Sequence, residues 1–385
     1  MKILYDHQIF TTQKFGGISR YFTQIISNLP NNILPEISIE YSDNVYLKTL
    51  SEYNHLPGMN DNFNIFFFGI SFRGKRRIYN LLRDINPDKY PDSWTANIQK
   101  SIYCLKKQDF DVFHPTYYDD YFLEYIGNKP FVLTIHDMIH ELYPELLNDS
   151  SLSMRKKKLA EKAAYIIAVS ENTKKDIINI LNIPEEKITV VYHASPLLKN
   201  QVKIQRLPSK YFLFVGARNA YKNFAFFVYA IAPVLKEQRD IHVVCTGNKF
   251  NQDEIQIFKD LDVEANFTNV FVDEDEWFEI YNNAIALIFP SYYEGFGIPI
   301  LEAFEASCPV LLSNSSCFFE IAQDAAVYFS PKNIKQLRKQ IKAIIDNSIL
   351  RQDLIYKGKS RVLDFTWQKS ANQTSEIYNR VLKNE

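Results

Sequence analysis

The stretch SYYEGFGIPILE at 291–302 holds two carboxylates, Glu294 and Glu302, on either side of Gly295 and Gly297. The chain has only 11 glycines in 385 residues, so two in one short loop need a reason. Glycine lets the backbone approach a ligand closely and turn its N–H groups outward. Pro299 suits a first helical turn, where its missing N–H costs nothing. The amides of Gly295 and Gly297, with a helix N-terminus behind them, then make an anion site. The amides of Phe296 and Gly297, with the Glu294 carboxylate, would hold a sugar, and Ile298 belongs to the same binding loop. Glu302, about one turn into that helix, can accept both hydroxyls of a ribose diol, and Glu294 can reach a polar group on the far side of the anion. A phosphate flanked by two polyols is a nucleotide sugar. For either glutamate alone, a solvated side chain or a simple complement to the helix dipole is the plainer alternative.

Three other stretches carry usable groups. FVGARNAYKN (214–223) offers Arg218 and Lys222 just past an apolar run. Cations there would stabilise the charge that builds on a departing diphosphate, Arg gripping two oxygens and Lys adding a point charge. A solvated surface loop is the alternative, and Asn223 is expected to cap the next helix. KFGGISRYF (14–22) places Gly16 and Gly17 where amides could meet a phosphate or the reacting sugar; a simple tight turn serves equally. Arg20 and Tyr21 follow as packing residues. TIHD (134–137) ends a buried run, so His136 and Asp137 should point into a cleft, His136 toward a sugar hydroxyl and Asp137 toward an acceptor or its own loop. NIFFFGISFRGKRRIYNLLR (64–83) sets Phe66, Phe67, Phe68 and Phe72 beside Arg73, Lys75, Arg76 and Arg77. That mixture suits an anionic membrane surface or a lipid-linked diphosphate acceptor, and equally an element with inward phenylalanines and a solvated basic end.

The elements that must position these groups read as alternating strands and helices. Apolar runs at 2–6, 111–115, 131–137, 165–170 and 188–194 form one series, with helices predicted over 154–163 and 172–182. A polar stretch, 195–208, reads as a linker. A second series follows at 211–217, 241–247, 269–273, 284–290, 309–313 and 325–330. Continuous apolar runs fit strands covered on both faces. The fold class is therefore α/β, two Rossmann-like doubly wound domains facing across a cleft, with ligands beyond the carboxyl ends of the strands. The expected division is 1–200, 201–360 and a C-terminal helix at 361–385, with Trp367 and Tyr378 as apolar anchors.

Bulk properties exclude several classes. A formal net charge of −1 gives no global field toward nucleic acid or membrane. Four scattered cysteines show no zinc-ligand spacing and read as reduced thiols. No run of about 18 apolar residues spans a bilayer, and MKILYDHQIF lacks a signal-peptide layout, so a cytoplasmic place is expected. The strings Asp109-Phe110-Asp111 and Asp273-Glu274-Asp275 resemble a metal-holding D-x-D, but the first precedes a strand and the second suits a helix start. No metal and no cofactor are expected. A dinucleotide-dependent oxidoreductase would need G-x-G-x-x-G, which neither GFGIPI nor KFGGIS supplies.

SYYEGFGIPILEAF resembles the E-x7-E signature of the retaining glycosyltransferases of family 4, which have the GT-B architecture. The opening ILYDHQIFTTQKFGGISRYF is similar to bacterial surface-polysaccharide members, and TIHD, AVSENTKKDI, VVYHA, FVGARNAYKN, FVDEDEWFEIYNNA and FTWQKSANQTSEIY fall in family order. The resemblance implies a retaining hexosyltransferase working on a lipopolysaccharide, O-antigen or capsule acceptor. GDP-mannose is the first donor expected and UDP-glucose the second. It also implies an Arg/Lys pair at the diphosphate, a histidine at the reacting carbon, a tail that crosses back to the first domain, and an N-terminal half that binds the acceptor and dips toward the inner face of the cytoplasmic membrane. A non-catalytic nucleotide- or glycan-binding protein that kept the fold is the alternative.

Overall fold

The protein is described by a computed structural model covering residues 1–61, 75–85, 91–146, 150–195, 204, 207–218 and 220–383. The short apolar runs become strands because every residue of VLTI, YIIA, YFLF, ALIF and VLLS is buried, which requires cover on both faces. In chain order they are β1 (Lys2–Tyr5), β2 (Leu34–Ile37), β3 (Val112–His114), β4 (Val132–Ile135), β5 (Tyr165–Ala168), β6 (Ile188–Val190), β7 (Tyr211–Phe214), β8 (His242–Thr246), β9 (Phe267–Val270), β10 (Ala286–Phe289), β11 (Val310–Ser313) and β12 (Val327–Phe329).

Every ladder pairing is parallel. The first half holds β2-β1-β3 and β4-β5-β6, joined by a parallel bridge between Phe113 and Phe131. The second half is one sheet in the order β12-β11-β10-β7-β8-β9. Its six strands have the Rossmann order, with the chain leaving β7 toward one edge and β10 toward the other. The fold class is as the sequence implied.

Strand β2 is absent from the sequence expectations. Its segment, LPEI, carries Pro35 and a Leu34 that is 63% exposed, and a proline is tolerated only because this is an edge strand. The Trp367–Lys383 helix packs on the first half. Tyr378 Oη lies 2.8 Å from Tyr5 Oη and 2.7 Å from His114 Nδ1, and Ile377 and Val381 join the core around Ile3, Ile25 and Val112.

Candidate functional site

A sheet that reverses its strand order opens a crevice past the carboxyl ends of the two strands at the reversal. In the second half those strands are β7 and β10. The loop after β7 ends in a short turn, Ala220–Lys222, and the loop after β10 carries Glu294. The two meet: Lys222 Nζ is 2.6 Å from Glu294 Oε1, and Ser291 Oγ donates to the same oxygen at 2.7 Å. The ammonium lies 5.1 Å from the Phe289 ring centre and 5.3 Å from that of Tyr221, so it is partly dried. Tyr292 N–H donates to the Tyr221 carbonyl at 2.8 Å and splints the loops together. Asn223 occupies the cap position of the Phe224–Glu237 helix, as expected, but its side chain makes no cap bond. Its amide donates instead to the carbonyls of Pro290 and Pro331.

Gly297, at φ +93°, precedes the Ile298–Glu305 helix, a conformation that favours glycine. The Gly297 and Ile298 amides open that helix and so have no acceptor within it. Glu302 follows on the buried side and accepts the Tyr281 hydroxyl at 2.6 Å. Burial raises its carboxyl above the usual range, against the pull of Arg20 and the Tyr281 hydrogen bond. Arg20 comes from the Gly17–Ser27 helix of the first half. It bridges the cleft, 3.9 Å from Glu302 Oε1 and 2.5 Å from Glu274 Oε1, with its guanidinium over the Tyr46 ring.

The expectation that Arg218 pairs with Lys222 on a diphosphate needs correction. Gly216, at φ +101°, lies in the turn just before it. The Arg218 Nε–H donates to Glu254 at 2.7 Å, and its other nitrogens donate to the carbonyls of Thr246, Asn248 and Lys249. The guanidinium carbon lies 5.6 Å from the Phe224 ring centre and 4.8 Å from that of Phe250. With its side chain 4% exposed and its donors engaged, Arg218 braces the loop after β8.

From the first half, the Gly17–Ser27 helix points its N-terminus at the same crevice: Gly17 faces Ile298, whose Cδ1 would lie 3.8 Å from an added Cβ. Gly16 is extended and lies against the tip of the Gln13 side chain, which would have to move for a Cβ at Gly16. Gly295 makes the tightest approach. A Cβ there would sit 1.6 Å from the His136 carbonyl oxygen, so glycine is required by contact between the halves. The Gly295 carbonyl accepts from Ser170 Oγ at 2.6 Å and Thr173 Oγ1 at 3.2 Å. Nearby, the Glu320 carboxylate accepts the amides of Glu171 and Asn172, which begin the Glu171–Leu181 helix.

His136 stands at this junction, its ring 5.2 Å from Tyr21 and stacked 5.9 Å from His193. Burial, then the charges of His114 and Lys156, push its pKa down to about 3, so the ring is neutral. Its Nε2 has no hydrogen-bond partner. Asp137 turns the other way: Oδ1 accepts the Ile139 amide at 3.1 Å and lies 3.9 Å from the buried Lys156 ammonium, so it fixes its own loop. Phe296 is buried against His193 and Tyr192.

Of the basic stretch, Phe66, Phe67, Phe68, Phe72 and Arg73 lie outside the described residues. Lys75 opens the Lys75–Ile85 helix and is buried, whereas Arg76 and Arg77 are exposed beside exposed Ile78, Leu81 and Ile85. No described helix is long and apolar enough to cross a membrane. Sequence reasoning gave no site role to Arg20, Tyr281, Ser291, Ser170 or Glu320. Each acts through a partner at least 3 positions away, and for all but Ser291 that partner lies on another element.

Two family models match the chain, one in each half. Residues 15–195 match the model described as Glycosyltransferase Family 4, and residues 198–361 match that of Glycosyl transferases group 1. The O-antigen chain mannosyltransferase RfbU of Salmonella typhimurium is 29% identical over 57% of this chain and 65% of its own, so the match spans just under two thirds of that relative. The O-antigen chain mannosyltransferase B of Escherichia coli is 25% identical over 64% of this chain and 69% of its own. Among solved structures, Anabaena HepE in complex with UDP and glucose superposes with a TM-score of 0.72 at 16% identity, covering 98% of this chain and 99% of its own, which bears on the fold. With two family models side by side over nearly the whole length and two parallel Rossmann-like sheets beneath them, the chain belongs to the family 4 glycosyltransferases of GT-B architecture.

Proposed function

We propose that the chain is a retaining hexosyltransferase. It moves mannose, or as second choice glucose, from a nucleoside diphosphate sugar to a hydroxyl of a growing bacterial surface glycan. The observation that carries this reading is the Lys222–Glu294 pair at the β7/β10 reversal, with buried Glu302 on the helix that follows the Glu294 loop. The curated relatives named as O-antigen mannosyltransferases support mannose and an O-antigen, lipopolysaccharide or capsule acceptor.

In this mechanism Glu302 accepts the ribose hydroxyls. The Phe296, Gly297 and Ile298 amides and the Gly17 helix end receive the diphosphate, and Glu294 holds the donor sugar. Lys222 offsets the charge that grows on the β-phosphate as the bond from C1 to its oxygen breaks, so it acts more on the transition state than on the ground state. The acceptor oxygen bonds to C1 on the face the phosphate leaves. Its proton passes to the departing phosphate oxygen, which balances the step without an enzyme nucleophile. Neutral His136 gives or takes one sugar hydrogen bond through Nε2. No metal is required in this scheme. The contacts that close Gly295 against His136 limit water at the reacting carbon.

The exposed Arg76, Arg77, Ile78, Leu81 and Ile85 support a peripheral contact with the cytoplasmic leaflet, where a lipid-linked acceptor would be presented. Flotation with anionic liposomes should be lost in Arg76→Glu/Arg77→Glu; equal flotation removes this contact. The transferase reading itself is tested by release of nucleoside diphosphate from GDP-mannose and UDP-glucose with acceptor present. Release that Lys222→Ala slows about 10²-fold or more supports it, and release unaffected by that change overturns it.

A further inference from the structure

The first half has its own reversal of strand order, between β1 and β3. Physical precedent for such sheets puts a ligand there too. The crevice is a cavity of about 190 Å³, roughly ten times the room one water needs. Its walls come from the segments that follow β1 and β3 and from the Ser93–Lys107 and Ser150–Lys162 helices. His7 follows β1, Tyr117, Asp119 and Tyr121 follow β3, and Trp94 opens the Ser93–Lys107 helix.

Three features define the ligand chemistry. The walls are rich in rings, with His7 packed 6.1 Å from Trp94 and 5.8 Å from Tyr121. Trp94 keeps 44% of its surface exposed. Second, His7 is 1% exposed, and its Nδ1 is engaged by Thr11 Oγ1 at 3.0 Å, but its Nε2 has no partner. An orphaned buried nitrogen on a cavity wall costs free energy unless a ligand or water satisfies it. Third, the rim is polar with little net positive charge: Arg155, the one cation among the described lining residues, lies 3.7 Å from Asp119. Asp119 is held in place by Gln8, which accepts its amide at 2.8 Å and donates to its carbonyl at 3.0 Å. A phosphate would meet Asp119 as well as Arg155. A neutral polyol with an apolar face meets rings, an unpaired nitrogen and a carboxylate.

We infer that this cavity is a saccharide subsite that takes one neutral pyranose ring, stacked on Trp94 and hydrogen-bonded to His7 Nε2 and Asp119. Tyr118 also lines it, and the Tyr118 hydroxyl accepts the His136 N–H at 3.0 Å, so the cavity adjoins the proposed reacting centre. The assignment of the ring to the acceptor, and not to the donor, rests on the transferase reading. Binding of a saccharide does not.

The test is saturation-transfer NMR on the full chain with the methyl glycosides of mannose, glucose, galactose and rhamnose, beside transfer kinetics. At least one glycoside should receive saturation, and its dissociation constant should rise about tenfold in Trp94→Ala and in His7→Gln, as expected for losing one stacking or hydrogen-bonding partner. Trp94 lies at an exposed first helical turn, so that variant keeps the fold, and thermal unfolding checks both. Lys222→Ala should slow nucleoside diphosphate release and keep the glycoside signal. No signal from any of the four glycosides, or a signal undiminished in Trp94→Ala, overturns the subsite. A chain that transfers sugar while Trp94→Ala leaves the acceptor KM unchanged sinks the subsite and spares the transferase. A chain that binds a glycoside and releases no nucleoside diphosphate does the reverse.

Discussion

Lys222 and Glu294 stand 2.6 Å apart, although 72 positions separate them in the chain, because their loops leave β7 and β10 at the reversal of the second sheet. Phe289 and Tyr221 keep the ammonium from full hydration. A cation so held costs little reorganisation when negative charge appears beside it. Replacing Lys222 by alanine should lower kcat by about 10² to 10³. Steady-state assay of nucleoside diphosphate release measures this.

Arg218→Ala should behave in the opposite way. It leaves Glu254 without its ion-pair partner and frees the Thr246, Asn248 and Lys249 carbonyls. The expected loss is about 3 kcal/mol of stability, read by urea denaturation. Turnover per folded molecule should change far less than in Lys222→Ala.

This contrast marks what the sequence could carry. Lys222 and Glu294 were legible because each sits directly after a continuous apolar run, and strands of that kind announce their ends. Arg218 was not, since nearness to Lys222 in sequence says nothing of the direction set by the turn at Gly216, φ +101°. The same limit hid the meaning of Gly295. Its glycine character was visible, but the atom that demands it, the His136 carbonyl oxygen, is 159 residues upstream. Edge strand β2 was hidden by Pro35, and the bridge from Arg20 to Glu302 and Glu274 depends on how the halves dock.

Two glycines separate contact from conformation. Gly295→Ala forces the halves apart, because a Cβ would lie 1.6 Å from the His136 oxygen, whereas Gly17→Ala finds its nearest atom at 3.8 Å. Gly295→Ala should cost about 1–3 kcal/mol and widen the cleft. Gly17→Ala should stay near wild type in stability. Thermal unfolding and small-angle scattering distinguish them.

Stability should fall with acidification. Burial pushes His114 and His136 down to about 3, and His193 lies well below its ordinary value. Below about 6.5 the unfolded chain takes up protons that these rings refuse in the fold, so each costs up to about 1.4 kcal/mol per pH unit as pH falls from about 6.5 toward about 3. Glu302 works the other way, because its raised carboxyl holds a proton more tightly in the fold than in the unfolded chain. Urea midpoints between about pH 7 and pH 5 should decline, and less steeply in His136→Gln.

Metal removal should leave turnover intact, since Lys222 and the amides opening the Ile298–Glu305 helix supply the positive charge of the mechanism. Assays in EDTA should match untreated enzyme. Complete loss restored by Mg²⁺ or Mn²⁺ would contradict that.

The most direct measurement is a crystal structure with GDP or UDP bound. The diphosphate should lie between Lys222 and the Gly297–Ile298 amides, with the ribose on Glu302 and the Tyr281 hydroxyl still donating to that carboxylate. Nucleotide density elsewhere, or a ribose that leaves Glu302 untouched, would contradict the account.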